Sequence, residues 1–284
     1  MEVALARRAP DRRVALFAVA LVGAAALVAV PIAVRAARSS PPTCLGPQDA
    51  GTVSIGQGID AGVIALTARP GASSAMPVSV RIDNGPASVM SRGTLWVSGA
   101  GSPTIPLARR TAGCWSAQVP RAVLAAIAVR TSSEPDAPVI GRFQLPGELR
   151  SGAALLARAR QATLRLVALH EITLASKSVT ATPRAVVTAY AGSTVTSRSG
   201  DGTQRFSWPG WRTGFEWMVP GIQASVVLGA VQVGGVPAVR VAGAVVQSPL
   251  WMILDIDPAT GAVLADSMNG PNHVMTNRYT PAGG

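Results

Sequence analysis

An uncharged apolar run, VALFAVALVGAAALVAVPIAV over residues 14–34, decides on which side of a membrane the rest of this chain can fold. As an α-helix it is long enough to cross a hydrocarbon core of about 30 Å. Arg7, Arg8, Arg12 and Arg13 precede it and outweigh Glu2 and Asp11. Basic flanks stay in the cytoplasm, which places the amino terminus inside. No later stretch stays apolar for as long. The expectation is a single-pass cell-membrane protein: a cytoplasmic tip (1–13), a transmembrane helix (14–34), a stalk (35–52), and an extracytoplasmic bulk of two modules, 53–147 and 148–284. The alternative is a secretory signal peptide cleaved near Val34-Arg35-Ala36, although the run exceeds the usual length of such a segment. Both readings send the remainder out of the cytoplasm.

Net charge is +11 at pH 7. It is spread along the chain, with neither the basic stripe nor the motif of a nucleic-acid binder, so no nucleic-acid partner is expected. Lys177 is the only lysine; the preference for arginine reads as the codon bias of a GC-rich genome. An apolar share of 48% suits packed cores and argues against disorder. Cys44 and Cys114 are the only cysteines. Both lie beyond the apolar run, and an even count outside the cytoplasm permits a disulfide between them.

Pro, Ser and Gly fill the stalk. From Val53 the pattern becomes short apolar runs split by turn residues: VIALTARP, PVSVRI, GTLWVSG, TIPLARR, CWSAQVP, IAVRTSS and IGRFQLP. That spacing predicts a small antiparallel sandwich. Residues 148–162 switch to helical spacing through Leu149, Ala153, Leu156 and Ala159. A second β-rich stretch follows, from LRLVALHEITLAS to HVMTNRYT. One helix followed by many strands describes a curved antiparallel sheet with the helix on its face.

Several motifs fall away on inspection. Gly56-Gln57-Gly58 loosely matches a dinucleotide loop, but a strand follows where that motif requires a helix. Asp255 and Asp257 enter a Pro-x-Thr-Gly turn and lack the further oxygen ligands of a calcium loop. No Gly-x-Ser-x-Gly elbow accompanies His170 or His273, so no enzyme is expected. His273 and Met275 share a strand face, with Met268 nearby, and imidazole with thioether is a possible Cu(I) set.

The densest feature is FSWPGWRTGFEWM over residues 206–218. Trp208, Trp211, Phe215 and Trp217 there, with Trp251, are the candidate ligand-binding residues. The segment can plug the mouth of the sheet, line an apolar cavity or touch the membrane interface. For a cavity, the expected floor is Leu164, Leu166, Val226, Leu228, Val239, Val241, Trp251 and Ile253, enclosing roughly 300 Å³ or more.

Residues 60–147 resemble an immunoglobulin-like module of actinobacterial copper-resistance membrane proteins of the CopC/CopD type. The resemblance is carried by Val63-Ile64-Ala65-Leu66 before Arg69-Pro70-Gly71, by Thr104-Ile105-Pro106-Leu107, by Trp115 after its Gly-Cys turn, and by Gly141-Arg142-Phe143-Gln144-Leu145-Pro146. Residues 152–283 resemble the domain that follows it in those proteins, through Leu254-Asp255-Ile256-Asp257-Pro258-Ala259-Thr260-Gly261, Met268, His273-Val274-Met275 and Tyr279. That domain is similar to the half-barrel of LolA- and LppX-type lipoprotein carriers. The fold expected is therefore mainly β: an immunoglobulin-like β-sandwich, then an α+β half-barrel. The departures are a single membrane run and the lack of any histidine in residues 36–150. Two functions stand open. One is an extracytoplasmic binding or accessory protein for a lipid, another apolar ligand or an envelope protein, without a cofactor. The other is a copper-handling accessory using His273, Met275 and Met268.

Overall fold

The computed structural model describes residues 44–60, 62–99, 102–218, 221–245 and 249–281. The expected cytoplasmic tip, the expected transmembrane helix over 14–34 and the expected stalk up to residue 43 lie outside the described residues. Among the described residues no helix is long and apolar enough to cross a membrane.

Alternating apolar and polar positions from Val53 onward produce strands β1 (Val53–Ile59), β2 (Gly62–Ala68), β3 (Ala75–Asp83), β4 (Thr94–Ser98), β5 (Ile105–Thr111), β6 (Cys114–Pro120), β7 (Ile127–Arg130) and β8 (Val139–Phe143), with a short helix α1 (Ala87–Met90). They form one eight-stranded sheet in the order β1-β2-β3-β6-β5-β4-β7-β8. A sandwich of two stacked sheets was the expectation; here every neighbouring pair is joined by an antiparallel ladder. A bulge between Arg109 and Thr111 helps the sheet bend. The sheet winds over itself until Ile64 of β2 packs against Gly141 of β8. Trp115, Leu95, Leu66 and Met76 fill its interior and are fully buried. Residues 44–52 are tied to this sheet by the Cys44–Cys114 disulfide, whose Cα atoms lie 6.3 Å apart, and by the Leu45 N–H, which donates to Ser79 Oγ at 2.8 Å.

The second sheet follows helix α2 (Ala153–Leu164). Its strands are β9 (Ala168–Ser176), β10 (Arg184–Ala191), β11 (Thr194–Ser199), β12 (Gly202–Ser207), β13 (Ile222–Val233), β14 (Val236–Val245), β15 (Leu250–Ile256), β16 (Val263–Gly270) and β17 (His273–Pro281). The order is β12-β11-β10-β9-β17-β16-β15-β14-β13, so β17 sits between β9 and β16. One face, here called inner, packs against α2 through Leu156 and Ala159 and against the aromatic segment through Trp211, Phe215 and Trp217. This is the half-barrel arrangement: a curved antiparallel sheet with a single helix on its inner face.

The outer face carries the first sheet. Trp251, 3% exposed, projects from β15 towards β1 and β2 and packs with Val63, Ala65 and Ala244. Its indole Nε1–H donates to Ser54 Oγ at 2.9 Å. Gly56 is required at this joint, because a Cβ there would fall 2.4 Å from Trp251 Cγ. Two residues further along β1, the Gly58 N–H donates to Asn269 Oδ1 at 3.0 Å. Val226 and Ala242 of the second sheet complete the core of the first.

Candidate functional site

The inner face is filled. Trp211 is fully buried and Trp217 is 2% exposed. Each indole N–H is satisfied from within: Trp211 Nε1 donates to the Gly192 carbonyl at 2.9 Å, and Trp217 Nε1 to Thr163 Oγ1 at 3.1 Å. Phe215 stacks on Trp217 at 4.5 Å between centroids, and Trp211 lies 4.9 Å from Tyr190. Trp208 is 38% exposed and covers Gly214 at the edge of the segment. Beneath the segment, beside Trp217 and Tyr279, the remaining void is about 10 Å³, at the lower limit for one water. The roughly 300 Å³ cavity expected there is closed by the segment itself.

The expected apolar floor is also divided. Val239 and Val241 face inward, with Leu254 opposite Val241. Trp251 pairs with Ala244, and Ile253 with Ala242, which turns both to the outer face together with Val226 and Leu228. Trp251 thus belongs to the joint between the sheets, while Trp208, Trp211, Phe215 and Trp217 lie on the inner side. A one-residue change of parity between strands moves a side chain to the opposite face.

Polar residues interrupt the inner face where sequence reading had singled out none. Glu171 and Tyr279 are cross-strand partners, as are Asp266 and Asn277. Tyr190 Oη donates to Glu171 Oε2 at 2.5 Å, Tyr279 Oη to Asp266 Oδ2 at 2.5 Å, and Asn277 Nδ2 to Asp266 Oδ1 at 3.1 Å. Burial pushes the Asp266 carboxyl up to about 7, against the lowering effect of its donors. Burial likewise raises Glu171, and Glu216 adds like charge to both. Both tyrosines are raised, first by burial and then by the carboxylates. The legible signal was a polar residue at a core parity: Leu169-x-Glu171, Asp266-x-Met268 and Met275-x-Asn277-x-Tyr279.

Open space lies on the outer side of the second sheet, part of it against the first sheet. Two depressions meet at Arg240 and Ile253. One, about 480 Å³, runs between the edge strands β8 and β13, with Ile55, Arg142, Phe143 and Leu228 in its walls. The other, about 410 Å³, continues over Ile172, Leu174 and Arg278. Ile172 and Leu174 are 49% and 42% exposed. Arg240 grips Asp255 with two hydrogen bonds, Nε to Oδ1 at 2.7 Å and Nη2 to Oδ2 at 2.8 Å, and these bonds raise the guanidinium's pKa.

The copper candidates are split between core and rim. Met268 and Met275 are cross-strand partners in the inner core, and His273 is exposed at the start of β17. Among the described residues no group of three or more His, Cys, Asp or Glu is placed to hold a metal ion.

No family model matches the chain, and no curated protein matches its sequence. Among solved structures, the chain is similar to the lipoprotein LppX of Mycobacterium tuberculosis at 13% identity and a TM-score of 0.35, over 47% of this chain and 98% of that one. It is similar to LprF of Mycobacterium bovis at 12% identity and a TM-score of 0.33, over 46% and 93%. A DUF1329 family protein from Desulfovibrio piger follows at 8% identity and 0.25, over 45% and 90%. At identities and scores of this size, the site has to be read from its own side chains.

Proposed function

We propose that this chain is a non-enzymatic binding protein of the cell envelope, and that it takes an apolar anion, a fatty-acid-like or phospholipid-like molecule, in the cleft between its sheets. The cleft of about 480 Å³ carries the proposal. Its volume lies in the range of small-molecule sites, and such sites favour the junction between two packed units. Ile55, Leu228, Ile253 and Phe143 offer apolar wall, while Arg142 and Arg240 set positive charge at its rim. A carboxylate or phosphate suits guanidinium donors. The run 14–34 and its basic flank support anchoring with the bulk outside, and the disulfide agrees with an oxidising compartment. Protease added to spheroplasts should digest the bulk of the chain; protection would overturn that placement.

The test of binding uses the full chain and palmitate as the probe, read by native mass spectrometry and titration. One molecule should bind per chain, with Ile253→Glu and Arg142→Glu each weakening it tenfold or more, which is about 1.4 kcal/mol. No uptake by the wild type, or equal affinity in both variants, would refute the cleft as the site. Asp255→Asn separates charge from shape. It removes one partner of a pair in which Arg240 keeps 42% exposure. The loss of stability should therefore be about 1–2 kcal/mol, between the values for surface and buried pairs. It also frees Arg240, so palmitate should bind several-fold more tightly.

A further inference from the structure

We propose that the buried Glu171–Tyr279–Asp266 chain is a proton-held latch, which keeps the aromatic segment 206–218 on the inner face while it holds one extra proton and releases the segment when that proton leaves.

Hydrogen positions make the case. Tyr279 Oη lies 2.5 Å from Asp266 Oδ2 and 3.5 Å from Glu171 Oε1. A phenol has one hydrogen to donate. With that hydrogen on Asp266, the contact to Glu171 needs a hydrogen from Glu171 itself; with Asp266 protonated, Tyr279 turns its hydrogen to Glu171. In either arrangement one carboxyl proton removes the repulsion between two buried carboxylates that share a single phenol. Tyr190 already serves Glu171, and Asn277 already serves Asp266 through Nδ2. Asn277 Oδ1, on a residue 2% exposed, is a further acceptor with no hydrogen-bond partner.

Polar and charged groups approach the chain from β9, from α2 and from the aromatic segment. Thr173 of β9 also bonds Glu171. From α2, Arg160 Nε donates to the Trp217 carbonyl at 2.8 Å. From the aromatic segment, Arg212 Nε donates to the Leu166 carbonyl at 2.5 Å, and Glu216 brings a third carboxylate towards Glu171 and Asp266. The segment rests directly on the chain's tyrosines: Trp217 lies 5.1 Å from the Tyr279 ring, and Phe215 5.8 Å. Losing the shared proton therefore places two buried carboxylates beneath a lid that carries its own negative charge. Lifting Phe215 and Trp217 hydrates both carboxylates, relieves the repulsion from Glu216, and uncovers the apolar inner face around Leu169, Met252 and Leu254.

The sign follows from linkage. Both carboxyls hold their protons more tightly in the closed state than when hydrated. Closure is therefore fully favoured below the ordinary carboxylate range and is lost as pH rises towards about 7.

The decisive measurement is hydrogen exchange of residues 206–218 in the full chain at pH 5.5 and 8.5, corrected for intrinsic base catalysis. Opening should increase about 30-fold over that interval for one proton held to about pH 7. Residues of the first sheet serve as the internal reference. Asp266→Asn, which keeps the shape and cannot ionise, should flatten the response. Tyr279→Phe, which disconnects the carboxyls, should shift or abolish its midpoint. Equal protection of 206–218 at both pH values in the wild type would overturn the latch, whatever the variants do.

Discussion

Trp251→Ala is expected to lower the stability of the folded region by about 3–5 kcal/mol, the range for emptying a buried Trp site. The indole is 3% exposed and fills the contact between the two sheets with Val63, Ala65 and Ala244. Alanine would also remove the indole donor 2.9 Å from Ser54 Oγ, leaving that hydroxyl its partner Thr67 Oγ1 at 2.9 Å. The cavity cannot collapse easily, because strands on both sides are fixed by their own ladders. The loss should therefore uncouple the sheets as well as weaken them. Denaturation of the wild type followed at both sheets should give one transition, and that of the variant two. A single transition at an unchanged midpoint would show that the sheets are coupled through other contacts. The same variant should weaken palmitate binding, since Gly56, under the indole, forms part of the cleft wall.

Breaking the disulfide should cost about 4 kcal/mol in the chain-entropy model, given a sequence separation of 70 residues between Cys44 and Cys114. The bridge holds residues 44–52 against β3 and β6, where Leu45 is 5% exposed. Cys44→Ser with Cys114→Ser should move the urea midpoint down, and added reductant should move the wild type to the same place. Identical midpoints for oxidised and reduced protein would mean that packing of Leu45 alone holds this segment.

Most strands were legible because period-two alternation is a local property. One was read only in part and one was missed, for reasons outside their own sequence. β1 is broken by Gly56 and Gly58, and these glycines answer to Trp251, Asn269 and Val274, far away in the chain. β11, TVTSRS, offers the core only Val195 and gains its place by pairing with β10 and β12. The winding of the first sheet was illegible too, since it depends on a β3–β6 ladder between strands that are not consecutive. Within the site, the aromatic segment was visible as composition, but whether it plugs or lines a cavity is a question of volume. Which strands share a face with Val241 depends on register, so Trp251 and Ile253 could not be separated from it beforehand. Glu171 and Asp266 meet only because β17 lies between their strands.

That placement of β17 also sets when the second sheet can exist. Its ladders run to β9 on one side and β16 on the other. Before residues 273–281 arrive, the chain holds two separate ribbons, β9 to β12 and β13 to β16, with no backbone pairing between them. In a chain delivered from its amino terminus, this strand emerges after every partner it joins. Loop closure across the whole sheet is then a late event, and topology of this kind folds slowly. Tyr279 and Asn277 arrive on the same strand, so Glu171 and Asp266 stay hydrated and ionised until the moment the ribbons are stitched together. The half-barrel therefore closes only once β17 is present, and until then its two ribbons have no ladder in common.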